Sequence, residues 1–239
     1  MSLTILSRDD WGADPSLPPR GHPLGPLNRT EIFIHHTVIV DNDTSKNEFE
    51  TLDEVRADMQ QLQTIRPDLG LDVPYNFVAF CMSSGDLVLA EGRGLHRTGA
   101  HTTDHNRSAL GIAFQGNFED FSLPAQFDAH LQEFSNWLKD LRTNQGFTNL
   151  GTSRPVDREV WAHRDVKATA CPGQKLFDLL AGIQFTAASS WTAPGDPILS
   201  DQDARSVILA HGKLNPDEMS ESLRLSIAVI LDEILQLKA

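Results

Sequence analysis

Short apolar segments rich in β-branched and aromatic residues recur along the chain as far as residue 162, separated by polar or glycine-rich stretches. Such segments are typical of strands buried in a sheet. Ser83, Ser84 and Gly85 separate two of them and predict a hairpin turn. The segments that we predict as strands are 31–34, 76–82, 86–90, 109–115 and 159–162.

Other segments repeat their apolar residues every three or four positions, which predicts amphipathic helices. Thr51 and Glu54 have the spacing of a capping box and open the first helix, which Pro67 and Gly70 end. Two more helices are predicted over 124–141 and 173–183, whereas 12–30, with five prolines, and 92–108 are predicted loops. Strands interleaved with helices predict an α/β fold, a single central mixed β-sheet covered by helices, over residues 1–185.

The remaining residues have a different pattern. Residues 186–200 contain Pro194, Gly195 and Pro197 and predict a linker. Residues 201–239 predict a small C-terminal helical appendage, in which a heptad-like apolar seam is formed by Leu223, Ile227, Ile230, Ile234 and Leu237. Two heptads are too short for a free coiled coil, so this face must dock on the first domain, self-associate or belong to a small binding module. We predict a helical hairpin that forms a homo-oligomer.

Composition and charge narrow the possible partners. The 239 residues are 40% hydrophobic, and their formal net charge of -13 argues against nucleic acid or an anionic membrane as the main partner. No run of 18 apolar residues occurs, so no membrane insertion is expected. The residues before Arg8 do not form a signal peptide, which predicts a protein made in the cytoplasm.

A histidine and a cysteine in one polar segment indicate metal chemistry. His163 and Cys171 lie eight residues apart, and Pro172 and Gly173 follow them. Imidazole nitrogen and thiolate sulfur are preferred zinc ligands, and we place the third ligand, His35, at the end of the apolar strand 31–34. Three protein ligands would leave a fourth position open, as in catalytic zinc sites. Cys81, the second cysteine, ends an apolar run and is interpreted as a buried small hydrophobe.

Several short motifs occur in a fixed order from the N-terminus to this segment. They are Ser7–Ala13, Ile34–Thr37, Val73–Phe77, Glu91–Arg93, Gly99–Thr102, His105–Asn106, Leu110–Phe118 and His163–Cys171. Over about the first 185 residues the chain resembles the zinc-dependent N-acetylmuramoyl-L-alanine amidases of the peptidoglycan-recognition-protein and phage-lysozyme type. The resemblance implies a peptidoglycan hydrolase that uses Zn²⁺ to cleave the amide between N-acetylmuramic acid and L-alanine.

The resemblance also implies roles for single residues. Tyr75 and Thr169 take the places of the catalytic oxyanion donors, although phage lysozymes carry lysine where Thr169 stands. We expect His101, Asn106 and His36 to contact the muropeptide substrate, and the alternative for Asn106 is a residue that forms a turn. A lytic amidase of this size without a signal peptide resembles a phage endolysin, which acts on the cell wall after release. The C-terminal appendage could then bind the wall instead of forming an oligomer.

Alternatives remain at the ligands and at the function. His36 could replace His35, although strand alternation allows one of them on the metal face, and His101 or His105 could also ligate. His22, His96, His130 and His211 are expected at the surface, and Arg8 and Trp11 could serve to pack the N-terminal arm across the core. The rival functions are a peptidoglycan sensor that does not cleave, whose relatives typically lose the cysteine ligand, and a cytoplasmic recycling amidase, whose relatives carry aspartate there.

Overall fold

The structure, a computed structural model, describes residues 2–38, 47–69 and 71–186. The predicted C-terminal hairpin and almost all of the predicted linker lie outside the described residues, as does His211. No helix within the described ranges is long and apolar enough to cross a membrane.

The described residues form one mixed six-stranded sheet, with the strand order β1-β4-β3-β5-β2-β6. Only the β3–β4 pair is antiparallel among these strands, which confirms the predicted hairpin and the predicted mixed sheet. The strands are β1 Leu3–Leu6, β2 Glu31–His36, β3 Phe77–Cys81, β4 Leu87–Glu91, β5 Ala109–Phe114 and β6 Trp161–Ala162. Sequence analysis missed β1, a four-residue strand that pairs with β4 alone.

Two long helices pack on the sheet. Helix α1 spans Leu52–Thr64 and begins with the predicted capping box, in which the Thr51 side chain accepts from the Glu54 backbone and the Glu54 carboxylate accepts in return. Helix α2 spans Phe127–Asn144. The third predicted helix is wrong in extent: α3 covers Gln174–Phe177, and a separate 3-10 turn covers Leu180–Gly182. This break still buries Leu176, Leu180 and Ile183 in the core, so a continuous helix is not needed there.

The two helices cover opposite faces of the sheet. Phe134 and Leu138 of α2 pack in one apolar cluster with Ile32, Ile34 and Ile112. On the opposite face, α1 packs against alternate residues of β3 and β4, in a second cluster that includes Val55, Met59, Leu62, Val78, Phe80 and Val88. Because side chains alternate along a strand, Phe33 and His35 of β2 point away from α2. The cluster of polar side chains described below lies on the face opposite α2, next to β2.

The N-terminal segment is fixed to the sheet by one buried aromatic side chain. Trp11 is fully buried in the α1 cluster, and its Nε1 donates to the backbone oxygen of Glu91 at 2.8 Å. The Arg8 guanidinium lies over the Trp11 ring and pairs with the buried Asp72 at 3.1 Å. This arrangement confirms that Arg8 and Trp11 pack the N-terminal arm across the core.

Buried Asn76 joins β5 to the loop that follows β4. Its Nδ2 donates to the oxygens of Gly94 at 2.7 Å and Arg97 at 2.9 Å, and its Oδ1 accepts from the Gly111 backbone at 2.9 Å. Buried polar groups that lose their partners cost free energy, so this amide stabilises the loop beside the polar site.

We predict that Asn76→Ala lowers the free energy of unfolding by about 2 kcal/mol or more, because it removes the side-chain partner of the buried Gly94 oxygen and of the buried Gly111 N–H. Urea denaturation measures the change. Asn144→Ala, the same substitution at an exposed position near the end of α2, should change it by less than about 0.5 kcal/mol. Equal effects of the two substitutions would contradict this account of Asn76.

Candidate metal centre

The structure brings together the three side chains predicted as metal ligands. Within the described residues, one ligand atom from each of His35, His163 and Cys171 lies within 4.8 Å of the others. The Cys171 Sγ is 3.6 Å from the His35 Nδ1, and the rings of His35 and His163 are 4.6 Å apart between centroids. These three residues are called the metal triad below.

Parallel strand pairing places the two histidines side by side. In the β2–β6 pair, Ile34 is opposite Ala162. The residues that follow them, His35 and His163, are therefore neighbours. His163 begins a 3-10 turn, and the Asp165 carboxylate accepts from the Ala162 backbone at 2.7 Å. Both imidazoles are therefore held at the same edge of the sheet.

The loop with Cys171 is folded back by backbone and side-chain contacts. The Arg164 backbone donates to the Cys171 oxygen at 3.0 Å, and the Arg164 side chain donates to Gln174 and Ala170. Gly173 has a positive φ of 91°, and a Cβ there would lie 2.4 Å from the Phe118 backbone. Glycine is therefore required where the chain turns from the thiol into α3.

His36 points away from the triad. Its Nδ1 accepts from the Phe118 backbone at 3.3 Å, and its side chain lies on the α2 face with Ile34. The His36 backbone donates to Cys171 Sγ at 3.4 Å, which helps to orient the thiol. Hence His35 and not His36 belongs to the triad, and the buried ring of His36 does not favour the predicted substrate contact.

Burial sets the protonation states of the triad. Desolvation lowers the pKa of His35 well below its ordinary value, and the neighbouring His101 and His163 lower it further. Desolvation also lowers the pKa of His163 and raises the pKa of the Cys171 thiol to about 12. Neutral imidazoles present lone pairs, and a metal would displace the thiol proton. The donor set therefore fits zinc, and the usual four-coordination of zinc would take one further ligand.

Tyr75 lies against the triad. Its ring centroid is 5.3 Å from that of His35, and desolvation raises the pKa of its hydroxyl, which therefore remains protonated near neutral pH. No hydrogen-bond partner for this hydroxyl occurs among residues 2–38, 47–69 and 71–186. Thr169 is exposed, and its Oγ1 accepts from the Cys171 backbone at 3.2 Å. A hydroxyl that accepts one hydrogen bond can still donate another.

The loop 99–108 packs against the metal triad. His101 is 8% exposed, and its Nδ1 is 3.1 Å from the Nε2 of His35, so it lies behind this member of the metal triad. The Asn106 Oδ1 accepts from the backbones of His101 and Thr102, which makes Asn106 a turn-forming residue. Neither position favours the predicted substrate contacts. His105 pairs with Glu31 at 3.2 Å and is not in the triad.

Two further expectations about titratable residues have clear outcomes. His130 is fully buried on α2 and contacts the Met82 oxygen at 3.1 Å, so its predicted surface position is wrong. Cys81 is 1% exposed in the core, as predicted, and both cysteines are free thiols.

Sequence analysis also missed contributors to the site. Buried Glu31, at the start of β2, accepts hydrogen bonds from Ser108 at 2.6 Å and Ser153 at 3.1 Å and pairs with His105. It thereby joins the loop 99–108 to the sheet. A carboxylate at the start of an otherwise apolar strand was the available signal. Thr102, 3.3 Å from the His35 Nε2, lies in the motif Gly99–Thr102, where no role was predicted for it.

Comparison with known proteins shows the family to which the chain belongs. The family model described as N-acetylmuramoyl-L-alanine amidase matches residues 27–174, a range that includes the whole triad and Tyr75. The chain belongs to this family.

Among relatives, an N-acetylmuramoyl-L-alanine amidase of Mus musculus is 34% identical over 180 residues, which cover 74% of this chain and 30% of that protein. The chain thus spans under a third of the mouse relative. Peptidoglycan-recognition protein 1 of Holotrichia diomphalia is 33% identical over 73% of this chain and 77% of its own.

A solved structure of peptidoglycan recognition protein-LE in complex with tracheal cytotoxin, a monomeric diaminopimelic acid-type peptidoglycan, is also similar. It has a TM-score of 0.55 and 28% identity, and the match covers 73% of this chain and 91% of that one. The described α/β domain therefore has the peptidoglycan-recognition-protein fold.

Proposed function

We propose that this chain is a zinc-dependent hydrolase that cleaves the amide between N-acetylmuramic acid and L-alanine in peptidoglycan. The observation that carries the proposal is the metal triad: His35, His163 and Cys171 converge at one edge of the sheet. Two imidazoles and one thiol suit zinc, and three protein ligands are typical of catalytic rather than structural sites.

The triad favours an enzyme over a sensor. A protein that only binds muropeptides needs no thiol ligand, yet Cys171 is held toward His35 by the His36 backbone and the folded-back loop. Zinc, when bound, supplies a Lewis acid and lowers the pKa of water to about 7. The peptidoglycan substrate is supported by the muropeptide in the complex of peptidoglycan recognition protein-LE.

The residues beside the triad supply proton donors. The hydroxyl of Tyr75 keeps its proton and has no partner in the described part of the chain, so it can donate to the carbonyl oxygen of the scissile amide. A donor aimed at the developing oxyanion stabilises the transition state more than the substrate. The exposed hydroxyl of Thr169 is a second candidate donor, on the loop of Cys171. The phage-type lytic setting remains a prediction from the resemblance.

For the metal, we predict one equivalent of bound zinc and loss of most of it in Cys171→Ala, because this substitution removes the sulfur ligand. Metal content after dialysis measures the effect. Cys81→Ala, at the buried cysteine outside the triad, should retain about one equivalent. Full hydrolytic activity of the original chain with less than about a tenth of an equivalent of zinc would contradict the assignment.

For the bond, digestion of purified peptidoglycan should release new L-alanine amino termini and leave the glycan strands intact. Mass spectrometry of the products tests this. New reducing sugar ends would indicate a glycosidase and refute the proposal, whereas zinc-loaded protein that binds muropeptides without any cleavage would support the sensor.

For the donor, Tyr75→Phe should lower kcat about 10- to 1000-fold with little change in KM, because it removes a hydroxyl whose contact matters most in the transition state. Zinc content should stay equal to that of the original chain. An unchanged kcat would show that Tyr75 packs against His35 without a catalytic role.

A further inference from the structure

Three polar side-chain atoms lie within hydrogen-bond distance of one another behind the metal triad. They belong to His35, His101 and Thr102. The Nε2 of His35 is 3.1 Å from the Nδ1 of His101 and 3.3 Å from the Oγ1 of Thr102. The Nδ1 of His101 is 3.0 Å from the Oγ1 of Thr102. All three residues are buried.

We propose that His101 and Thr102 are positioning residues that keep the proton of His35 on Nε2, so that the Nδ1 lone pair is directed to the metal. The inference rests on the zinc function proposed above. A histidine that binds a metal through one nitrogen usually donates from the other, and this second bond fixes the tautomer and the ring orientation. His35 has its Nδ1 on the Cys171 side and its Nε2 on the His101 side.

The protons shared among His35, His101 and Thr102 can be assigned from hydrogen-bond rules. When His35 binds the metal through Nδ1, its proton is on Nε2 and must be donated. The available acceptors are the Nδ1 of His101 and the Oγ1 of Thr102, and the threonine hydroxyl can donate onward to His101. Our proposal takes the arrangement in which the Nδ1 of His101 accepts, either from His35 directly or from the Thr102 hydroxyl, and this puts the proton of His101 on its Nε2. In the competing arrangement both rings donate to the Thr102 Oγ1, and the proton of His101 is on Nδ1.

A proton on the Nε2 of His101 lacks a hydrogen-bond acceptor within the described part of the chain. The Nε2 of His101 is buried and has no hydrogen-bond partner in the described residues. An unsatisfied buried donor costs about 1–3 kcal/mol, so the Nε2 of His101 adds no hydrogen-bond energy to the fold. The accepting Nδ1 of His101, in contact with the His35 ligand, is the group that accounts for a histidine at this position.

The chain also leaves space for this ring. A Cβ at Gly99 would lie 2.2 Å from the His101 ring, and a Cβ at Gly111 would lie 2.2 Å from it as well. Gly111 belongs to β5 and Gly99 to the loop, so the imidazole fits between two backbones. Asn106 further fixes His101 through the two backbone N–H groups of His101 and Thr102. The ring therefore has little freedom to move toward the metal or the solvent.

The test measures zinc affinity of the full chain by competition with a chromophoric chelator, beside stability without metal. We expect His101→Leu, which removes the acceptor, to raise the zinc Kd about 10- to 100-fold. His101→Asn, whose amide oxygen can replace Nδ1, should recover most of this loss, and Thr102→Val should have a smaller effect. His130→Leu is the matched control, since it removes another buried histidine remote from the triad, and its Kd should change less than about twofold.

A spectroscopic readout separates positioning from packing. Long-range ¹H–¹⁵N spectra of the zinc-loaded chain should show His101, assigned through its absence in His101→Asn, as the Nε2–H tautomer. An Nδ1–H tautomer, or a His101→Leu variant with the zinc Kd of the original chain, would overturn the inference alone. An original chain that binds no zinc would overturn the proposed function and this inference with it.

Discussion

Parallel pairing of β2 with β6 is the interaction on which the candidate site depends. It places Ile34 opposite Ala162 on the apolar α2 face, and so the next positions, His35 and His163, emerge together at the edge of the sheet. Pairing of β2 with β5 along six residues holds β2 rigid at the centre of this region. A shift of one residue in the β2–β5 register would turn His35 toward the helix α2.

Two loops complete the site at that edge of the sheet. The Cys171 thiol lies on a loop that is folded back against the sheet by contacts of Arg164 and by the turn at Gly173. The loop 99–108 packs behind His35 and is fixed by hydrogen bonds to Asn106 and Glu31. Burial keeps the imidazoles neutral and Tyr75 protonated, and so the same packing that positions these groups also gives them the charge states that metal binding and hydrogen-bond donation need.

Sequence analysis predicted the parts of this arrangement that have local signals. Apolar strands, the capping box of α1 and the His–Cys segment follow from composition and spacing, and strand alternation separates His35 from His36. The contact of His101 with His35 could not be predicted, because it depends on the packing of the loop 99–108 against β2, which no local pattern encodes. His130 lies at helical spacing between Phe127 and Phe134 on the buried face of α2, so the helical period was the signal available for its burial.

X-ray absorption at the zinc K-edge of the purified full chain tests the central claim most directly, because it counts the ligand types around the metal. The account predicts one sulfur at about 2.3 Å, two imidazole nitrogens at about 2.0–2.1 Å and one further light atom from water. A spectrum without a sulfur shell, or with the signal of a single imidazole, would contradict a metal centre formed by His35, His163 and Cys171.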